Sequence, residues 1–197
     1  MLVDVLTGSP LTGSLPTEIS AVFLDRDGTL NVKAPEGSYI TSPHQLRLLR
    51  GVGIAVRRLN ELRLPVFVVT NQRGVALRKM TLEDVGRVND TVQRRLRRFS
   101  AHVDGFYVCP HDDGVCDCRK PAPGMLWRVR QDHPQVQLHR SVIIGDSEAD
   151  VEAGLAASAH AIRLGLPGTT TQAAAIFPDL LASVEALIRS GRLTSHD

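Results

Sequence analysis

The chain's 197 residues suit one domain with a substantial core and are too few for two full-sized ones. Hydrophobic residues make up 43% and charged residues 22%, the balance of an ordinary soluble globular protein. The formal net charge of +2 argues against nucleic acid or a membrane surface as partner, and no apolar run reaches the ~20 residues that span a bilayer.

Residues 1–18 are rich in Gly, Ser, Pro and Thr and lack the basic start and continuous apolar core of a signal peptide, so they read as a flexible extension. The domain is expected over 19–190. From there, short β-branched runs alternate with helical patterns, which predicts an α/β fold with a mostly parallel sheet. Strands are expected at 19–24, 65–69, 103–108, 141–144 and 160–164. Their lack of polar alternation suits strands covered on both faces. Between the first two, Val52, Ala55, Val56, Leu59 and Leu62 follow a 3.6-residue period. A second helix opens at Thr81, with Asp84 placed for a capping box, and is expected to bury Val85, Val88, Val92, Leu96 and Phe99. Arg94, Arg95, Arg97 and Arg98 fall off that stripe and read as a solvated face. A last helix follows the cap Asp179 and carries Leu180, Leu181, Val184, Leu187 and Ile188.

The chemistry concentrates at strand ends, where parallel α/β sheets bind ligands. The first strand runs into Asp25-Arg26-Asp27-Gly28-Thr29. Residues two apart at a strand end point the same way, so both carboxylates can converge on one substrate. One can attack phosphorus while the other protonates the departing alkoxide. An EF-hand loop also begins D-x-D, but Thr29 and Leu30 stand where it needs a ligand and a turn glycine. The second strand leads into Thr70-Asn71-Gln72, offering a hydroxyl and amides to phosphate oxygens. Arg119-Lys120-Pro121 supplies fixed positive charge, and Gly145-Asp146-Ser147 with Asp150 adds carboxylates able to hold Mg²⁺. Only three of the 23 basic residues are lysines, at 33, 79 and 120.

All three cysteines lie between 109 and 118, in Cys109-Pro-His111-Asp-Asp-Gly-Val-Cys116-Asp-Cys118. This clustering argues against a disulfide framework and for a reducing, cytoplasmic setting. Three thiols and one imidazole form the ligand set of a closed structural Zn²⁺ site. The site ends just before Arg119 and Lys120, so the metal is expected to pin the loop that aims them.

In this order, the four strand-end motifs resemble those of the haloacid dehalogenase (HAD) superfamily over residues 20 to 165 or so. The resemblance implies a Rossmann-like parallel sheet with helices on both faces, a zinc-binding loop and no large cap domain. It implies a phosphatase working through an aspartyl-phosphate, with Asp25 as nucleophile and Asp27 as general acid and base. Asp25, the Asp27 carbonyl and Asp146 would bind Mg²⁺; Thr70 and Lys120 would hold the transferred phosphoryl group. Tyr39, Asn71, Gln72, Arg73 and Arg119 would contact a phosphorylated sugar. The zinc loop before R-K-P is similar to that of two groups, the D-glycero-D-manno-heptose 1,7-bisphosphate 7-phosphatases and the histidinol-phosphate phosphatases. The short spacer between His111 and Cys116 favours the second group; the runs at 70–76 and 120–125 favour the first, which is the preferred reading. A nucleic-acid 3′-phosphatase is a weaker third. Three departures stand out: Arg78 is displaced by one position, Ser147 stands where a lysine is common, and the loop over residues 32–39 is slightly longer than usual. A monomer is expected.

Overall fold

The structure, a computed structural model, describes residues 15–193. The elements run β1 (Ala21–Leu24), α1 (Val52–Glu61), β2 (Val66–Asn71), α2 (Leu82–Arg97), β3 (Gly105–Cys109), α3 (Gly124–Asp132), β4 (Ser141–Gly145), α4 (Glu148–Ala156), β5 (His160–Leu164), β6 (Ala175–Phe177) and α5 (Leu180–Arg189). The six strands form one sheet in the order β3-β2-β1-β4-β5-β6, and every pairing is parallel. Order reverses beside β1, where such sheets open a crevice at their carboxyl ends.

Continuous apolar strands here feed two cores. On one face Val22, Leu24, Val66, Val68, Val142 and Ile144 pack with residues of α1, α2 and α5. On the other, Ala21, Phe23, Phe67, Val69 and Ile143 meet α3 and α4. The alternation is that of a pleated strand, and both faces are apolar because both are covered. Phe23 and Phe67 are fully buried with ring centroids 5.9 Å apart, and truncating either to alanine is expected to cost about 3–5 kcal/mol.

The helix starts follow their local chemistry. Thr81 and Asp84 form the capping box expected at α2, and Asp179 caps α5 by accepting from the Ala182 amide at 2.8 Å. Gly51, at φ 80, turns the chain into α1, while a side chain at Gly53 would collide with the Phe99 ring. Phe99 itself is 44% exposed, contrary to expectation. α2 ends at Arg97, so Phe99 lies past the helical stripe and covers α1 from its rim.

Strand bounds shift slightly. β1 starts at Ala21, and β3 starts at Gly105 because Asp104 turns its carboxylate onto the Val66 amide, 2.7 Å away. The expected N-terminal extension falls outside the described residues over 1–14; within the described part, Leu15 is buried. The segment between β1 and α1 carries only isolated bridges and no inserted domain. Among the described residues, no helix is long and apolar enough to cross a membrane.

Candidate active site

Asp25 follows β1 directly, Thr70 and Asn71 close β2, Lys120 lies in the loop after β3, and Asp146 follows β4. Sheet geometry therefore brings four distant segments to one crevice. Lys120 Nζ donates to Asp25 Oδ1 at 2.6 Å, Asp150 Oδ1 at 2.6 Å and the Val69 carbonyl at 2.7 Å. An ammonium has three protons, so all are used. The Asn71 amide locks this loop in place, donating to the Lys120 carbonyl at 2.9 Å and accepting from the Lys120 amide at 3.1 Å.

Burial pushes the Asp25 carboxyl up to about 7, against the pull of Lys120. Asp150 is also buried, but the adjacent Lys120 charge and hydrogen bonds from Lys120 and Ser147 hold it below the usual range. Burial lowers Lys120 less than the two carboxylates raise it, so it stays protonated. Asp150 is held under Gly145, where a side chain would strike its carboxylate, and it forms the capping box of α4 with Ser147.

Asp27 is held differently. Its Oδ2 accepts from Arg26 Nη2 and Gln72 Nε2, both at 2.8 Å, and its Oδ1 from Asn31 Nδ2 at 2.8 Å. Burial works against ionisation, but Arg26 and these bonds bring the carboxyl below the usual range. Arg26 has no exposed surface and is anchored further by Asn89 Oδ1 at 2.9 Å. Asp27 thus has both oxygens engaged, whereas the one bond recorded for the Asp25 carboxylate is to Oδ1.

Gln72, expected to touch substrate, is buried and bridges Asp27 to Thr70 Oγ1 at 2.8 Å. Since Thr70 accepts there, its own proton remains available. Arg73 and Arg119 both turn to the cysteine loop. Arg73 pairs with Asp112 at 2.5 Å and Asp113 at 3.0 Å, and Arg119 pairs with Asp113. Tyr39 stands further out, under Lys79 Nζ at 5.4 Å. Sequence reasoning missed the clamp on Asp27 by Arg26 and Asn31, and also Lys33, which pairs with Asp146. A buried arginine between two motif aspartates was the available signal for the first.

Two donor clusters could hold metal ions. Carboxylate oxygens of Asp25, Asp146 and Asp150 lie within 4.8 Å of one another, and Asp146 Oδ1 is buried with no hydrogen-bond partner. An acceptor left that way inside a protein suits a cation. In the second cluster, Cys109 Sγ lies 3.7 Å from His111 Nδ1 and 3.6 Å from Cys116 Sγ. Cys118 Sγ lies 3.2 Å from the same nitrogen and 3.4 Å from Cys116. A tetrahedron with zinc bond lengths has edges of about 3.4–3.8 Å; three of these separations fall within it and the 3.2 Å one just short of it, so the four donors could hold one metal such as zinc. Burial opposes ionisation of Cys116, yet bonds from its neighbours bring its thiol down to about 7.

Residues 117–182 match the model of the HAD-hydrolase-like family. The D-glycero-beta-D-manno-heptose-1,7-bisphosphate 7-phosphatase of Rhodopseudomonas palustris is 36% identical over 166 residues, 80% of this chain and 86% of that protein. Its Escherichia coli K12 counterpart is 35% identical over 162 residues, 77% and 83% of the two chains. The D-glycero-alpha-D-manno-heptose-1,7-bisphosphate 7-phosphatase of Mycobacterium bovis is 36% identical over 132 residues, 66% and 69%. Among solved structures, the D,D-heptose 1,7-bisphosphate phosphatase of B. bronchiseptica, complexed with magnesium and phosphate, superposes with a TM-score of 0.76 at 29% identity, covering 87% of this chain and 99% of that one.

Proposed function

The chain belongs to the HAD-like heptose-1,7-bisphosphate 7-phosphatase family, and from that premise we propose that it removes the 7-phosphate of D-glycero-D-manno-heptose 1,7-bisphosphate as a cytoplasmic monomer. The observation that carries the phosphatase chemistry is the pairing of Asp25, free at one oxygen, with Asp27, bound at both. A nucleophile needs a lone pair free for in-line attack, which supports Asp25 in that role.

The Asp25 oxygen bonds to phosphorus as the bond to the sugar oxygen breaks, and Asp27 gives that oxygen its proton. Arg26 and the hydrogen bonds hold Asp27 below the usual carboxylate range in the free protein; a negative phosphate arriving beside it raises its proton affinity. Water then attacks the aspartyl-phosphate, Asp27 takes its proton, and inorganic phosphate leaves. Thr70 donates to a phosphoryl oxygen, and Lys120 holds positive charge against Asp25 throughout. A Mg²⁺ held by Asp25, Asp146 and the Asp27 carbonyl would offset charge on the phosphoryl oxygens and favour ionised Asp25. Zinc on Cys109, His111, Cys116 and Cys118 would keep the loop before Arg119 and Lys120 in place.

Arg119, and less so Arg73, are the arginines proposed for the phosphate that is kept, beyond their pairing with Asp112 and Asp113. Tyr39 and Asn71 complete the proposed substrate contacts. The test is kcat/KM for both anomers of the heptose bisphosphate, histidinol phosphate and a DNA 3′-phosphate, with acid-quench mass spectrometry of the Asp25 peptide. One heptose anomer should lead by at least about tenfold, with phosphate on Asp25. Faster turnover of histidinol phosphate, or phosphate on another residue, would refute the assignment.

A further inference from the structure

Lys33, in the segment between β1 and α1, forms an ion pair with Asp146 Oδ2. It is the one charged partner recorded for Asp146 among the described residues. Lys120 cannot serve, because its three protons go to Asp25, Val69 and Asp150. Gly28 makes room for the contact: a side chain there would strike both the Asp146 carboxylate and Lys33 Cε. The lysine side chain is 51% exposed against 20% for Asp146, so solvent screens part of its charge.

We propose that Lys33 is a tethered counter-cation of the divalent-metal site: paired with Asp146 Oδ2 beside the unpartnered Oδ1, it lowers the site's affinity for its cation. The proposal rests on reading Asp25 and Asp146 as metal ligands. The ion would take Oδ1 while the ammonium holds Oδ2, so the lysine offsets part of the carboxylate charge and repels the incoming ion.

The same segment is fastened further along, where Lys79 Nζ donates to the Gly37 carbonyl at 3.0 Å and packs over Tyr39. The Tyr39 ring in turn lies where a side chain at Gly74 would be. Neither contact involves Asp146.

Mn²⁺ binding read by electron paramagnetic resonance tests this on the full chain, with the cysteine loop kept loaded and the carboxylate site cleared by gel filtration. Lys33→Met and Lys33→Gln should bind Mn²⁺ about three- to tenfold more tightly than the wild type. Lys79→Met, on the second fastening, should bind like the wild type. If the wild type binds and both Lys33 variants bind equally or more weakly, the proposal fails and the metal site stands. If the wild type and Asp146→Asn show the same negligible binding, the metal reading itself falls and takes the proposal with it.

Discussion

Replacing Lys120 with methionine should be the most damaging single change at the site for stability, apart from any effect on turnover. The substitution keeps much of the stem's volume but leaves Asp25 and Asp150 facing each other without their shared cation, and the Val69 carbonyl without its donor. The side chains of Lys120 and Asp150 are 3% and 1% exposed, so solvent screens little of this. Removing one partner of such a buried pair costs about 3–5 kcal/mol. For a domain of this size that lowers Tm by about 6–20 °C. The loss should grow with pH. Without Lys120, Asp25 rises further above its unfolded value of 3.8, and Asp150 loses the charge that holds it low. Groups raised in the folded state lend stability below the unfolded pKa and lose it as pH rises through the folded one. Asp25 already stands at about 7 with the lysine present, so its share of the penalty should build as pH rises above 7. Adding Asp150→Asn should recover a large part, because one of the two exposed charges is then gone. The assay is thermal unfolding in EDTA from pH 5 to 8.5 for the wild type, both single variants and the double variant. A drop below about 2 °C at pH 8, or one independent of pH, would refute the buried-triad reasoning.

Asp25→Asn should abolish turnover and phospho-enzyme formation, while Asp27→Asn should slow phospho-enzyme formation about 10²–10⁴-fold in rapid-quench kinetics. The purified protein should hold about one zinc per chain by elemental analysis, and Cys118→Ser should lower both zinc content and Tm. Gly124→Ala should do the same without replacing a ligand side chain, since a side chain there would strike the Asp117 carbonyl and Cys118 Cα, both backbone; unchanged zinc content would show that the loop yields at little cost.

The sheet was legible because its strands are unbroken apolar runs that end in polar residues, and the ends carry the chemistry. What stayed illegible had weak or misleading patterns. α4 buries Asp150, Val151, Ala153 and Gly154, small or charged residues that draw no apolar stripe. α3 spans nine residues and leaves Trp127 46% exposed. β6 has three residues at the sheet edge. The cysteine loop was readable from spacing alone, since four ligands within ten positions leave few other readings. Interactions across the fold were not. Nothing local to Lys33 points at Asp146, and nothing local to Asp112 and Asp113 points at Arg73. Phe99 continued a helical period that the helix itself did not follow, a case of tertiary packing overriding periodicity.

The order of strands has a consequence for biosynthesis. Asp25 directly follows β1, a strand inside the sheet, and its contact with Lys120 joins residues 95 positions apart. At translation rates of about 5–20 residues per second, the finished Asp25 segment waits about 5–20 s before its lysine is made. β4, the partner on its other side, comes later still. During that interval Val22, Phe23 and Leu24 lack one of the two neighbours that later bury them, so the emerging half-sheet is a natural client for a ribosome-bound chaperone. The Asp25–Lys120 pair cannot form before the C-terminal half begins to emerge.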